Sequence, residues 1–493
     1  MSVVDGPARP AHPPATPHPG GTARSGRPAG ASGLFRAFWR WHFYASAVVV
    51  PVLLVLAATG LVYLFRFQVE PLLHPDLMRV GHAPGQLTQP WQTQLGAVTD
   101  ATTDSGAVAR VVSFTEPASP EASARFTVET TTGATRDVFV DPYTVTVLGS
   151  LDPDTTLSGT AVRLHADLMA GRLGDTVIEL GACWAVVMAL TGYYLLVRGR
   201  RARRRQRAAR VSGARWRTWH ARTGAFVGGG LLLLVVSGLP WTGFWGEQVQ
   251  RLVTDRSTSM WAEDPGALSN PTSTLDESLP HSHHSVPWAQ GKSTVPQSNP
   301  KVGSEGEGAE VSVADLDTAV EVADRAGLTH PFTVALPSEE RGVYSVIGYA
   351  FDDPGRERTV HVDRFGGQVV STYGYDDYPA LAKVVAQGIA VHEGRRFGTV
   401  NFWLSALLCV AVVVSCVTGP LMWWRRRPRG SGSVGAPRGR GPLAASPGLA
   451  VVVVALGVFL PYFGASLLLA LLFDRFVVRR NPSLARRLDT VGA

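Results

Sequence analysis

Five apolar blocks set the limits on what this chain can fold into. They cover residues 43–65, 177–197, 221–241, 399–424 and 449–473. Each reaches the ~20 residues that a helix needs to cross ~30 Å of hydrocarbon, and none carries a charge at its centre. A buried soluble helix explains one such block but not five in 493 residues. The expectation is an α-helical integral membrane protein in contact with membrane lipid. An average hydrophobic content of 45% hides this, because the apolar residues are clustered.

The net charge of +7 is clustered too. "VRGRRARRRQRAARVSGARWR" joins the second and third blocks, and "RRRPRG" follows the fourth. Short Arg-rich loops are retained in the cytoplasm, so the N-terminus is expected inside and the segments 68–164 and 243–391 outside. A run of arginines between two membrane spans does not read as a nucleic-acid site. "DRFVVRRNPSLARR" after the fifth block conflicts with a simple five-span path, which leaves the side of the C-terminus open. Cys183, Cys409 and Cys416 all fall inside apolar blocks, so neither an external disulfide framework nor a CxxC site is available.

The long segments between blocks carry patterns of their own. "ARVVSFTEP", "ARFTVETT" and "RDVFVDPYTVTVLGSL" alternate as strands do, and so do "FTVALP", "GVYSVIGYAF" and "RTVHVDRFGGQVVSTY". "VSVADLDTAVEVADRAGL" has helical spacing, with Ser312 or Asp315 as its cap. Each segment reads as a small α+β module. A Ser/Pro-rich stretch holds "HSHH", and His281, His283 and His284 are candidate ligands for copper, zinc or iron, or incidental residues of a solvated loop. "GSGSVG" matches a dinucleotide fingerprint but follows no strand and opens no helix, so that reading fails.

Four other histidines form a repeat. His42 lies 17 residues before Thr59-Gly60, and His220 lies 17 before Ser237-Gly238. His165 lies 26 residues before Thr191-Gly192, and His392 lies 26 before Thr418-Gly419. The chain is therefore a duplicated pair of spans, with His42 and His220 at one face and His165 and His392 at the other. Packed about a twofold axis along the membrane normal, each histidine meets its counterpart. Two facing imidazoles, with Gly60, Gly192, Gly238 and Gly419 leaving side-chain gaps, suit a flat macrocycle between helices. Interfacial anchors and a bis-imidazole copper or zinc site are the other readings, the latter short of third and fourth ligands.

With these motifs the chain resembles the PepSY-associated transmembrane helix family, which includes iron-regulated inner-membrane proteins and ferric-siderophore reductases. The likeness spans about residues 35–480. It rests on the Trp-His, Leu-His and Val-His motifs, the Thr-Gly ends, the strand-turns "VFVDPYTVTVLG" and "VHVDRFGGQVV", and the last span "LPYFGASLLLALLFD". The turns "DPYTV" and "DRFGG" depart from the family's usual DPxTG. The resemblance implies two b-type haems in a four-helix bundle, with electrons flowing outward.

The expected layout is a disordered tail (1–33), span 1 (34–66), a PepSY-like module (67–163), span 2 (164–198), a basic loop (199–217) and span 3 (218–242). A linker with a second PepSY-like module (243–391), span 4 (392–426), a linker (427–447), span 5 (448–474) and a tail (475–493) complete it. The expected function is a multi-pass haem-b electron conduit in the cell membrane that reduces an extracytoplasmic Fe(III)-siderophore or other ferric chelate in iron acquisition. Its donor is a quinol or a partner reductase, since no nucleotide site survives. A PepSY-type sensor or regulatory binding protein, and a metal transporter using "HSHH" as its capture loop, are the alternatives. The spans are expected to lack the intramembrane carboxylates that a transporter needs.

Overall fold

The computed structural model describes residues 29–105, 108–211, 213–254, 273–279, 286–299, 313–426, 434–436, 446–488 and 490. Among these residues, five helices are long and apolar enough to cross a membrane: Gly33–Leu64, Gly171–Arg198, Ala214–Trp241, Gly398–Arg425 and Pro461–Arg480. The first four, spans 1 to 4, pack in a ring: spans 1 and 3 each touch both span 2 and span 4. Their shared core joins Val49 and Leu53 of span 1, Ala185 of span 2, Leu231 of span 3 and Val412 of span 4. Small residues let the backbones close in; a Cβ on Gly181 would lie 2.8 Å from Val52 Cγ1. Outward residues such as Leu233, Val236, Leu404, Leu407 and Val414 stay exposed, as lipid-facing positions do.

Spans 2 and 4 are each preceded by a separate short helix, Leu157–Asp167 and Ala380–His392. The first is capped by the Thr156 hydroxyl and stops where Leu168 and Met169 adopt positive φ angles of 53° and 55°. The second ends before Gly394, whose φ of 75° and close approach to Leu64 admit no side chain. His165 and His392 therefore sit on these short helices rather than on the spans that the sequence reading assigned them to. The short helices pack against spans 1 and 3 respectively.

The two outer segments do not form separate modules. Among the described residues their strands are β1 (Val108–Thr115), β2 (Ala124–Thr130), β3 (Thr135–Val140), β4 (Val147–Leu151), β5 (Ser273–Thr274), β6 (Thr294–Val295), β7 (Thr333–Ala335), β8 (Val343–Gly348), β9 (Arg358–Asp363) and β10 (Val369–Gly374). β5 and β6 make a small ribbon, and the rest build one antiparallel sheet in the order β10-β9-β8-β7-β1-β2-β3-β4. Two four-stranded meanders thus join through β1 and β7, with Phe114 opposite Val334. Helices Trp91–Ser105 and Leu316–Arg325 cover a core of Phe114, Phe126, Val320 and Phe332. They also cap each other across the two halves: Trp91 N–H donates to Asp317 at 2.7 Å, and Leu316 N–H donates to Gln92 at 3.1 Å. Asp315 is the cap of the second helix, its carboxylate accepting from Thr318 N–H. The aspartates of "VDPYT" and "VDRFGG" make equivalent turns, Asp141 accepting from Tyr143 N–H and Asp363 from Phe365 N–H.

The last apolar block is not one continuous span. It breaks at Leu460 into Pro447–Phe459 and Pro461–Phe476. Seven residues of straight helix separate two positions by about 10 Å. Here a Cβ on Gly464 would lie 2.3 Å from the Gly457 carbonyl oxygen, so the chain turns back on itself. Proline removes the helical N–H at the bend, and paired glycines let the two arms touch. The hairpin rests on span 2 through Leu460, Phe463, Cys183 and Val187. Its return brings the C-terminal segment to the His42 end, where Arg40 and Tyr44 donate to Leu488 O at 2.9 and 2.8 Å. The arginines after the block thus share an end with those after span 2, which removes the conflict in the charge pattern. Substituting Gly464→Leu should lower the unfolding midpoint in detergent by the equivalent of ~1–3 kcal/mol, the cost of overpacking. Gly448→Leu, where a Cβ meets nothing within 4 Å, should leave the midpoint unchanged.

Candidate functional site

Each Thr/Ser-Gly pair receives the histidine of a neighbouring helix. Thr59 spends its hydroxyl proton on the Val55 carbonyl of its own helix, at 2.7 Å, and Thr191 and Ser237 do the same with Val187 and Leu233. Their oxygens are left as acceptors. Nδ1 of His165 lies 3.0 Å from Thr59 Oγ1, Nδ1 of His42 lies 3.2 Å from Thr191 Oγ1, and Nδ1 of His392 lies 3.1 Å from Ser237 Oγ. His42 Nδ1 also lies 3.0 Å from the Met188 carbonyl, which only accepts. These partners place the proton on Nδ1 and leave Nε2 as the free lone pair.

The glycines make room for the rings. A Cβ on Gly60 would lie 3.3 Å from His165 Cε1, on Gly192 3.1 Å from His42 Cε1, and on Gly238 3.1 Å from His392 Cε1. At Gly419 the corresponding distance to His220 Cε1 is 3.7 Å, an ordinary contact. Three sites share both the hydroxyl contact and the glycine gap, and at the fourth Gly419 brings only an ordinary contact with His220.

One histidine pair faces itself directly. The His165 and His392 ring centres are 6.3 Å apart with planes at 89°. Two metal–nitrogen bonds of roughly 2 Å, plus about 1.1 Å from each nitrogen to its ring centre, come to about 6.2 Å. The spacing therefore fits one metal held between two imidazoles, each fixed through its other nitrogen. Among the described residues no group of three or more His, Cys, Asp or Glu side chains gathers to hold a metal ion. The protein donors that face each other here are two imidazoles, a set that would suit a macrocycle supplying the remaining ligands itself. Trp241 lies 6.0 Å from the His392 ring, at the rim of the same site.

Two features escaped the sequence reading. Span 2 does contain carboxylates, contrary to expectation: Glu179 is fully buried and accepts from Phe244 N–H at 3.2 Å, while Asp175 accepts from Gly243 N–H at 3.0 Å. They cap the helix Gly243–Thr254 that leaves span 3, so the acid's partner lies in a different helix. The second is a buried polar cluster just beyond His392. The Arg395 guanidinium contacts Glu393 and lies 3.9 Å from Glu357, a residue of the sheet domain. Burial pushes the Glu357 carboxyl up to about 8, against the pull of Arg395 and with the repulsion of Glu393. Nothing in the residue order foretells this cluster, because its members meet only when sheet and bundle dock. His281, His283 and His284 lie outside the described residues.

A comparison with curated proteins finds no match. The family model of the PepSY-associated TM region matches residues 39–426, a stretch that holds the four spans, all four paired histidines and the joined sheet. The chain belongs to the PepSY-associated TM family.

Proposed function

We propose that the protein is a transmembrane electron conduit that holds two b-type haems. It delivers electrons to a ferric chelate, such as an Fe(III)-siderophore, on the side of the sheet. The observation that carries this reading is the 6.3 Å spacing of His165 and His392, with each Nδ1 engaged and each Cε1 against a glycine. Bound haem supplies one-electron chemistry that no side chain here provides. His165 and His392 hold the outer group; His42 and His220 hold the inner one at the end that carries the arginines. Thr59, Thr191 and Ser237 fix imidazole orientation and raise ligand basicity, as outer-shell acceptors do. The sheet covers the outer end and offers the acceptor its docking surface. Reduction to Fe(II) weakens hard-oxygen chelation, so electron delivery alone releases the metal. A membrane quinol or a partner reductase supplies the electrons.

Detergent-purified protein is expected to carry two haems per chain, non-covalently, with a Soret band that sharpens on reduction. A folded, haem-replete preparation without that band would point instead to a PepSY-type sensor or regulatory binding protein. The pairing is tested by stoichiometry and potentiometry. His42→Ala and His220→Ala should each remove the same haem, and the double variant should lose little more, because two imidazoles form one shared unit. His165→Ala and His392→Ala should behave alike for the other haem, and losses should add across the pairs. Functional pairing of His42 with His165 would overturn the scheme.

The Arg bias supports a topology with residues 200–210 in the cytoplasm, the sheet outside the cell membrane and the N-terminus inside. Single cysteines replace Arg205 and Arg136, both exposed. In intact cells an impermeant reagent should label position 136 and not 205; the opposite pattern would invert the topology.

A further inference from the structure

The cluster beyond His392 holds an unequal number of charges. Arg395, three residues after His392, is 4% exposed, and two carboxylates face it, Glu393 and Glu357, the latter also 4% exposed. The remaining guanidinium donor Nη1 is taken by the Phe351 carbonyl at 2.7 Å and the Ala350 carbonyl at 3.4 Å. Tyr349 OH donates to Glu393 at 3.4 Å, and Tyr63 of span 1 also hydrogen-bonds Glu393. Tyr378 OH donates to Glu357 Oε2 at 3.5 Å and receives Gln290 Nε2–H at 2.8 Å. Asp353, the other acid on this side, pairs with Arg396 at 3.5 Å. One guanidinium is thus shared by two carboxylates, of which Glu357 is buried, and a buried net charge is costly unless a proton neutralises it. Glu393 is the closer partner of Arg395 and is held by two tyrosines as well. Glu357 is the weakly held acid, and it belongs to the sheet domain while its cation belongs to the segment that carries His392.

We infer that Glu357 is a proton-binding site coupled to the outer histidine pair: in alkaline solution, where it is ionised at rest, it takes up one proton for each electron that arrives between His165 and His392. This rests on the haem reading above. The balance is one electron from the inner site, which is oxidised, one ferric iron reduced to ferrous at the outer site, and one proton from solvent forming an O–H bond on Glu357. Both are returned when the acceptor is reduced: the electron goes to the ferric chelate and the proton back to solvent. The added electron makes the outer site more negative, which raises the proton affinity of a nearby acid, and linkage makes the effect reciprocal. The neutral Glu357 then stays paired with Tyr378 while Arg395 remains matched to Glu393 alone.

The test is potentiometry of the full haem-loaded chain from neutral to alkaline pH. The outer midpoint should stay level below about pH 8 and fall above it, where Glu357 is ionised at rest, with a limiting slope of about 59 mV for each tenfold drop in proton activity, the one-electron, one-proton value. Glu357→Gln should flatten the slope, and Asp353→Asn should keep it. The infrared difference spectrum of wild-type protein at alkaline pH, reduced minus oxidised, supplies a measurement that needs no variant: a protonated-carboxyl band should appear on reduction and shift in heavy water. A wild-type midpoint that stays flat at alkaline pH, no such band there, or a slope that survives in Glu357→Gln overturns the inference while leaving the conduit intact. A folded preparation without the outer haem overturns the conduit reading and this inference together.

Discussion

A hydroxyl oxygen that meets an imidazole Nδ1 organises the whole membrane part. Thr59, Thr191 and Ser237 each satisfy their own proton within their helix and offer the oxygen to a histidine from elsewhere. The bond works only where a glycine follows, since a Cβ would press on Cε1. It fixes three things together: which helices are neighbours, how deep each histidine sits, and which ring nitrogen faces inward. Hydrogen bonds of this kind inside a bundle are modest in energy but directional, and direction is what a paired-ligand site needs.

The same duplication extends beyond the membrane. Two meanders meet at β1 and β7 in one sheet, and each half lends the other a helix cap across Asp317 and Gln92. A pair of modules hinged separately would let the two halves of the bundle move apart. A single sheet ties them, and Arg395 joins that sheet to the segment carrying His392 through Glu357 and the Ala350 and Phe351 carbonyls. Sheet geometry and the spacing of the outer histidines are therefore mechanically linked.

Symmetry is broken between the two ends of the bundle. The pair nearer the sheet, His165 and His392, comes from short helices that lie beside the spans, whereas His42 and His220 stand on the spans themselves. The C-terminal hairpin rests on span 2, and the terminal segment joins span 1 through Arg40 and Tyr44, with no counterpart described on the other half.

By itself the sequence determined the spans, the duplication, the four histidines and nearly all strands, because hydrophobic blocks, a 17- and 26-residue repeat and period-two alternation are local or periodic signals. Asp315 was legible as a cap for the same reason. Only the tertiary structure decided that the strands form one sheet, since the pairing of Phe114 with Val334 joins residues with no pattern linking them. It likewise decided the hairpin at Leu460, which hydropathy reads as a single block because the glycines that allow the turn carry no polar side chain to interrupt it. The carboxylates Glu179 and Glu357 were hidden for a further reason: whether a charge is solvated or buried depends on what docks against it, and that contact comes from distant parts of the chain.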